Sequence, residues 1–319
     1  MKNIGVLTSG GDCQGMNACL SIIVKMAGFN KINIYGIRRG YQGLIDDDMI
    51  KLKYEDVSHI STIGGTFLHT SRCADFMTPE GKKKAVENIK KRKLDAIIVI
   101  GGDGSFKGVR DINKLGVKTI AIPGTIDNDL FYTEISLGFY SAVGVAADAV
   151  KCIKQTMYSH ERCSVIEVMG RNCGSIALHV AAATASDVLA IPEHKLTEQQ
   201  VIDKVKKSIK RGVISPTVIV AENQFDVNVL AEKIEKATGK ETRASILGYM
   251  QRGGTPSVRD HMLAMEYAVY AFELILNEKY NRAVARKEGK IIDVSMDEAL
   301  SAPSNFKNRI YNIFNTLNS

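Results

Sequence analysis

A chain of 319 residues, 45% hydrophobic and 24% charged, has ample material for a core and lies in the ordinary globular range. It contains no uninterrupted apolar run of about 18 residues, and its opening MKNIGVLTSGGD reads as a strand and glycine turn, so neither a membrane span nor a signal peptide is expected. The net charge of +7 comes largely from basic runs at 82–84, 90–93 and 204–210 that read as solvated helix faces, and there is no RNP, zinc-finger or basic-region pattern to make nucleic acid an expected partner.

The first expected strand, residues 4–7, runs into Leu7-Thr-Ser-Gly-Gly-Asp-Cys-Gln-Gly-Met-Asn-Ala18, a glycine turn before a helix. Such a turn lets a phosphate approach the backbone at a helix N-terminus, where free N–H groups and the positive dipole end face it. It is neither G-x-G-x-x-G nor a P-loop, so alone it is equally a structural βα connection. Strands follow at 32–37 and 96–100 around a helix at 79–91. The second strand leads into Val99-Ile-Gly-Gly-Asp-Gly-Ser105, whose glycines can cradle phosphates beside Asp103. A carboxylate next to phosphates makes sense with Mg²⁺ between them, because Mg²⁺ takes one or two carboxylates plus phosphate oxygens.

The strand at 117–122 breaks into Pro-Gly-Thr-Ile-Asp-Asn-Asp at 123–129, which puts Asp127 and Asp129 where ligands bind in an open α/β sheet. An isolated D-N-D is well explained as a polar turn; here it accompanies two glycine turns, and phosphoryl transfer explains all three. Further helices are expected at 141–157, 197–210 and 229–238, and strands at 165–168, 188–191, 218–220 and 246–247. The alternation implies βαβ units and largely parallel sheets covered on both faces. Arg72, Arg162, Arg171, Arg243 and Arg252 are forks suited to phosphate, with Arg171 and Arg252 beside glycines at expected strand ends. The six histidines show no metal spacing or triad and read as structural. The six cysteines contain no C-x-x-C pair and read as reduced thiols, which favours the cytoplasm.

GVLTSGGD…GMNA, IGGDGS, PGTIDND, SHER, EVMGR, ETR and LG-x-x-QRGG stand in the order and spacing of one family. The whole chain resembles the bacterial ATP-dependent 6-phosphofructokinases. That resemblance implies an α/β fold of two Rossmann-like, doubly wound lobes with the active site between them. Residues 1–138 plus 251–303 would form an ATP/Mg lobe, and residues 139–250 plus 304–319 a sugar-phosphate lobe. It implies that Gly11, Arg72, Cys73, Gly102, Asp103, Gly104 and Ser105 hold ATP, with Asp103 on Mg²⁺. Asp127 would take the proton of the sugar's 1-hydroxyl, Thr125, Arg171 and Arg72 would stabilise the transferring group, and Asp129 would support the metal. Ile126, Met169, Gly170, Glu222, Tyr249, Met250, Gln251 and Arg252 would bind fructose 6-phosphate, and Arg162 and Arg243 would reach in from a neighbouring subunit of a homo-oligomer, usually a tetramer.

Gly104 and Gly124 match the ATP-using branch; pyrophosphate-using relatives place Asp and Lys there. Departures from the family pattern are Tyr249 in place of a histidine on the 6-phosphate, Tyr140 in place of an acid, Ile63 in place of a cation, and Asn172-Cys173 after MGR. The regulatory anion site is also altered. Ser21, Tyr54, Val213 and Ser215 are not cationic, Ala185 replaces a glycine, Asp187 replaces a glutamate, and only Lys25, Lys154 and Arg211 remain basic. Weakened control by ADP and phosphoenolpyruvate is therefore expected. Two alternatives stand beside this reading: a phosphotransferase of the same fold with another sugar or with pyrophosphate, and a weakly active, regulatory paralogue.

Overall fold

In the computed structural model residues 2–304 and 306–319 are described; Met1 and Asn305, at the start of the expected first lobe and within the tail of the second, lie outside the described residues. The chain runs β1 (Asn3–Ser9), α1 (Met16–Phe29), β2 (Asn33–Ile37), α2 (Tyr41–Asp46), β3 (Met49–Leu52), α3 (Tyr54–Val57), α4 (Pro79–Lys91), β4 (Ala96–Gly101), α5 (Asp103–Asn113) and β5 (Thr119–Pro123). It continues through α6 (Phe139–Ser159), β6 (Cys163–Val168), α7 (Ser175–Ala183), β7 (Val188–Ala190), α8 (Glu198–Lys210), β8 (Thr217–Ala221), α9 (Val227–Thr238) and β9 (Thr242–Ile246). After a 3₁₀ turn at Gly248–Arg252 come α10 (Val258–Leu276), β10 (Arg282–Lys287), β11 (Lys290–Ser295), α11 (Met296–Ser301) and α12 (Asn308–Leu317).

Local chemistry sets many of these boundaries. Thr78 caps α4 by accepting from the Gly81 amide, and Pro79 follows at the first helical position, where a missing N–H costs nothing. Thr197 and Gln200 form a reciprocal capping box on α8, and Asp226 accepts from the Asn228 and Val229 amides at the start of α9.

Two compact units divide the chain. One comprises Met1–Ile126, Leu130–Ser141 and Arg252–Asn305; the other comprises Asp127–Asp129, Ala142–Gln251 and Phe306–Ser319. The first holds a seven-stranded sheet of order β11-β10-β5-β4-β1-β2-β3, parallel except where β3 and β11 pair antiparallel at its two edges. Its centre is wholly buried: Ile4, Val6, Leu7, Ile97, Ile98, Val99 and Ile100 are inaccessible to solvent, as a parallel sheet covered on both faces requires. The second unit holds a four-stranded parallel sheet, β7-β8-β6-β9.

Register brings the motifs together. In the first sheet Ser9 pairs with Gly101, and Gly101 with Pro123, so the carboxyl ends of β1, β4 and β5 finish side by side. From β1 the chain passes through α1 to β2 on one side, and β4 and β5 lie on the other; the switch point is therefore between β1 and β4, where ligands bind in such sheets. In the second sheet Val168 pairs with Ala221 and Glu167 with Ile246, which gathers the ends of β6, β8 and β9 in the same way.

Three strands escape the sequence reading. β3 and β11 are edge strands with lysines in their sequences, the composition that guards an edge against further pairing and that hides the alternation. β10 and β11 are joined by Glu288 and Gly289, both at positive φ, a two-residue hairpin without an Asn-Gly or Asp-Gly signal. The strand expected at 246–247 lies earlier, at Thr242–Ile246, because it is an edge strand with a largely solvated face.

Candidate active site

In the first unit the three motifs leave neighbouring strand ends. The β1 turn is pinned by Thr70, whose hydroxyl donates to the Gly10 carbonyl at 2.7 Å and so brings the segment carrying Arg72 and Cys73 to it. Burial pushes the Cys73 thiol up, so it is a neutral side chain near neutral pH. A Cβ on Gly11 would stand 3.1 Å from the Arg252 guanidinium, so a glycine is what lets that guanidinium lie against the turn. Arg252 itself sits at the end of a 3₁₀ turn instead of a strand.

Ser105 lies in the first turn of α5, and its hydroxyl is buried without a hydrogen-bond partner. That hydroxyl would be 2.5 Å from a Cβ built on Gly101 and 3.5 Å from one built on Gly10, so it points into the cradle between the two glycine turns. A Cβ on Gly104 meets nothing within 4 Å. A buried donor without a partner is costly, and here it faces the place where phosphate oxygens would accept from it.

Asp103, the one acid in the first turn of α5, accepts from Lys107 at 2.7 Å. These residues fit a nucleotide phosphate with Mg²⁺. Among the described residues no three His, Cys, Asp or Glu side chains converge as a metal cage. A site completed by phosphate oxygens and water is the usual Mg²⁺ arrangement. Lys107 was missed in the sequence; its only signal is the Asp-x-x-x-Lys spacing at a helix start.

The acidic loop is anchored at both ends within the first unit. Gly124 bridges Leu137, and the Ser136 hydroxyl donates to the Thr125 carbonyl at 2.6 Å. Asp127–Asp129 group with the second unit, and Asn128 adopts a left-handed φ of 52° that Asn tolerates well.

In the second unit the Met169-Gly170-Arg171 turn follows β6, with Gly170 at φ 145° and Arg171 at φ 57°. Glu222, at the end of β8, accepts from the amides of Gly170 at 3.0 Å and Arg171 at 2.5 Å, and Gln251 accepts from the Met169 amide at 3.2 Å. Both side chains thus hold the turn that presents Arg171. Cys173, just beyond it, lies against the Ser175 hydroxyl at 3.0 Å, and burial pushes its thiol up to about 12, with the negative charges of Glu193 and Asp129 adding to the effect.

Arg162 and Arg243 converge on one carboxylate, Glu241, with Arg162 Nε at 2.6 Å. Tyr249 and Met250 are largely exposed on the 3₁₀ turn, Tyr249 at 79%. In the first unit Tyr140 carries the Arg259 guanidinium 3.6 Å above its ring. Ile63 is half exposed, and its carbonyl accepts from Asn17.

Of the positions expected to form a regulatory anion site, all but Ser21 have a contact within the chain. Lys154 donates to the Thr184 and Ala185 carbonyls at 2.7 and 2.8 Å, at the C-terminal end of α7, and burial lowers its pKa against the pull of Asp187. Ala185 is held at φ 45°, where the family's glycine would be unstrained. Asp187 accepts from the Thr217 amide, Arg211 reaches the Leu317 carbonyl, Val213 donates to the Ser208 carbonyl, and Ser215 donates to the Arg162 carbonyl. Ser21 is wholly buried with its hydroxyl unpartnered, and Lys25 lies over the Tyr54 ring at 5.3 Å.

Glycine turns, a buried orphan hydroxyl and carboxylates at the ends of parallel strands define an α/β protein built for phosphoryl chemistry. The family profile for Phosphofructokinase matches residues 3–275, and the chain belongs to that family. It is 42% identical over 313 residues to an ATP-dependent 6-phosphofructokinase of Clostridium botulinum, covering 98% of each chain. It is 43% identical over 311 residues to one of Clostridioides difficile, again covering 98% of each. A solved phosphofructokinase from Saccharomyces cerevisiae superposes with a TM-score of 0.90 at 30% identity, over 98% of this chain and 50% of that one. A pyrophosphate-dependent phosphofructokinase from Marinobacter aquaeolei shares the fold, with a TM-score of 0.87 at 20% identity over 97% of this chain and 86% of that one.

Proposed function

We propose that this protein transfers the γ-phosphoryl group of ATP to the 1-hydroxyl of fructose 6-phosphate, giving fructose 1,6-bisphosphate, a step of glycolysis. One observation carries the reading: the register that ends β1, β4 and β5 side by side, so that both phosphate turns and the acidic loop leave adjacent strands. The open side of Gly104 favours a nucleotide donor over pyrophosphate, since space for the α-phosphate is kept.

In this reading the glycine turns and the Ser105 hydroxyl bind the nucleotide phosphates, with Arg72 and Cys73 beside them and Asp103 holding Mg²⁺. The metal, when bound, neutralises charge on the phosphate oxygens. Asp127 accepts the proton of the sugar's 1-hydroxyl as that oxygen attacks, and the Arg171 guanidinium and Thr125 hydroxyl stabilise charge on the transferring group. Asp129 supports the metal's surroundings. Glu222 and Gln251 keep the 169–171 turn in place, and Arg252 with Tyr249 binds the sugar phosphate. Arg162 and Arg243 serve a neighbouring subunit of a homo-oligomer, a tetramer in this reading; their convergence on Glu241 supports a shared docking element. Among the described residues no helix is long and apolar enough to cross a membrane, and a cytoplasmic site of action fits cysteines that form no disulfide among those residues.

Replacing Asp127 by Ser tests the reading. A general base contributes roughly 10²- to 10⁴-fold, and one that acts only in the transition state appears in kcat while KM for fructose 6-phosphate stays nearly constant. A coupled assay with ATP and Mg²⁺ measures both, and a variant that keeps more than half of the wild-type kcat removes the assignment.

A further inference from the structure

Lys107 Nζ lies 2.7 Å from Asp103 Oδ2, one turn along α5, and the side chains are 59% and 36% exposed. As a helix pair this is a weak stabiliser, and Asp103 already sits at the favourable dipole end without it. Its position says more. It sets an ammonium on the one acid in the first turn of α5, in the glycine turn with the buried Ser105 hydroxyl to which the proposed function gives the nucleotide phosphates.

We propose that Lys107 is a positioning residue that occupies Asp103 ahead of the metal and makes the site prefer the metal–nucleotide complex to the free metal. The inference rests on the reading of Asp103 as the Mg²⁺ carboxylate. A free divalent cation must displace the ammonium and then bind within a few Å of its positive charge. A metal–triphosphate complex carries net negative charge, so the same ammonium attracts it. The lysine stem is flexible and largely solvated, so it can release the carboxylate at small cost and follow the phosphates. The charge signs alone make Lys107 a discriminator against bare cation.

The test uses nucleotide-free protein and Mn²⁺, with free Mn²⁺ read by electron paramagnetic resonance. Lys107→Met is expected to bind Mn²⁺ about three- to tenfold more tightly than wild type, the size of a screened repulsion between near, partly exposed charges. Lys107→Arg, which keeps the cation, is expected to match wild type. The KM for the Mg²⁺–ATP complex is expected to rise in Lys107→Met, opposite in direction to the free-metal constant. A purely structural pair would lower the thermal midpoint and leave Mn²⁺ affinity unchanged; that result overturns the proposal. Asp103→Asn in the Lys107→Met background separates the two levels. If it leaves Mn²⁺ binding intact, the metal role of Asp103 fails and the inference falls with it. If it abolishes binding while Lys107→Met alone shows no gain, only the role of Lys107 fails.

Discussion

Gly104 and Gly124 look equivalent in the sequence, as two small residues beside a phosphate turn, but their missing side chains point to different surroundings. A Cβ on Gly124 would stand 3.0 Å from Ile100 Cγ2 and 3.4 Å from Met16 Cε, so a side chain here would press on the protein's own atoms. A larger residue there would disturb the core as well as any ligand. Gly104 faces open space, which makes it the cleaner probe of the donor. Gly104→Asp is expected to fold normally and to lower kcat/KM for ATP by on the order of 10²-fold, because a like charge set against phosphate costs several kcal/mol and each ~1.4 kcal/mol is tenfold. Steady-state kinetics with ATP as the varied substrate check this; retention of more than a tenth of the wild-type value would show that the space beside Gly104 is not used by the nucleotide. Tyr249 is a different case: a phenol can donate one hydrogen bond to a phosphate but supplies no cation, so under the proposed function the sugar phosphate would be held with one cation fewer than in the family pattern.

At the scale of elements, α2 and α4 are tied by charge at one residue. Asp47 caps the C-terminal end of α2 in a left-handed conformation, φ 57°, and its carboxylate accepts from Arg92 at 2.6 Å and Lys91 at 2.9 Å, at the end of α4. The Arg92 hydrogen bond is the main reason its carboxyl is held below the ordinary carboxylate range. For an acid with a lowered folded pKa, the stabilisation is present above the unfolded pKa and is lost as pH falls through the folded value. Asp47→Asn keeps a residue that tolerates φ 57° and removes only the charge. Its unfolding free energy by urea is expected to fall by about 0.5–1 kcal/mol at pH 7, the size of a partly exposed ion-pair network. The deficit should shrink as pH falls through the lowered folded pKa and vanish at acid pH below it, where both proteins carry a neutral side chain at 47. An equal deficit at both pH values would assign the effect to the cap geometry instead.

For the whole molecule the expected consequence is loss of control by anionic effectors. The cations at the positions expected to bind effector are each engaged within their own unit: Lys154 meets the carbonyls at the end of α7, Arg211 reaches the Leu317 carbonyl, and Lys25 lies over Tyr54. An anion would have to take Lys154 away from two carbonyls before gaining its charge. An effector shifts a conformational equilibrium only through its difference in affinity for the two states, so a weakly held one has little leverage. The fructose 6-phosphate saturation curve is expected to be near-hyperbolic and barely displaced by millimolar phosphoenolpyruvate or ADP. A sigmoidal curve moved several-fold by phosphoenolpyruvate would show that these cations still form a working site.

The motifs, their order and the βαβ alternation were legible in the sequence because each depends on local chemistry: apolar runs of strand length and glycines where the backbone must turn tightly. Which motifs become neighbours was not. Residues 10, 102 and 124 are far apart in the chain, and only the parallel register of β1, β4 and β5 places their turns side by side. The edge strands β3 and β11 were hidden because a half-solvated strand carries charged residues that erase its alternation. Tertiary structure likewise decided that Gly124 lies against Ile100 and Met16 while Gly104 faces open space, and that Glu222 and Gln251 hold the turn presenting Arg171. Sequence patterns report what a residue does to its own stretch of backbone. What a side chain or a missing Cβ meets across the fold is set by the packing of segments distant along the chain, and no local pattern encodes it.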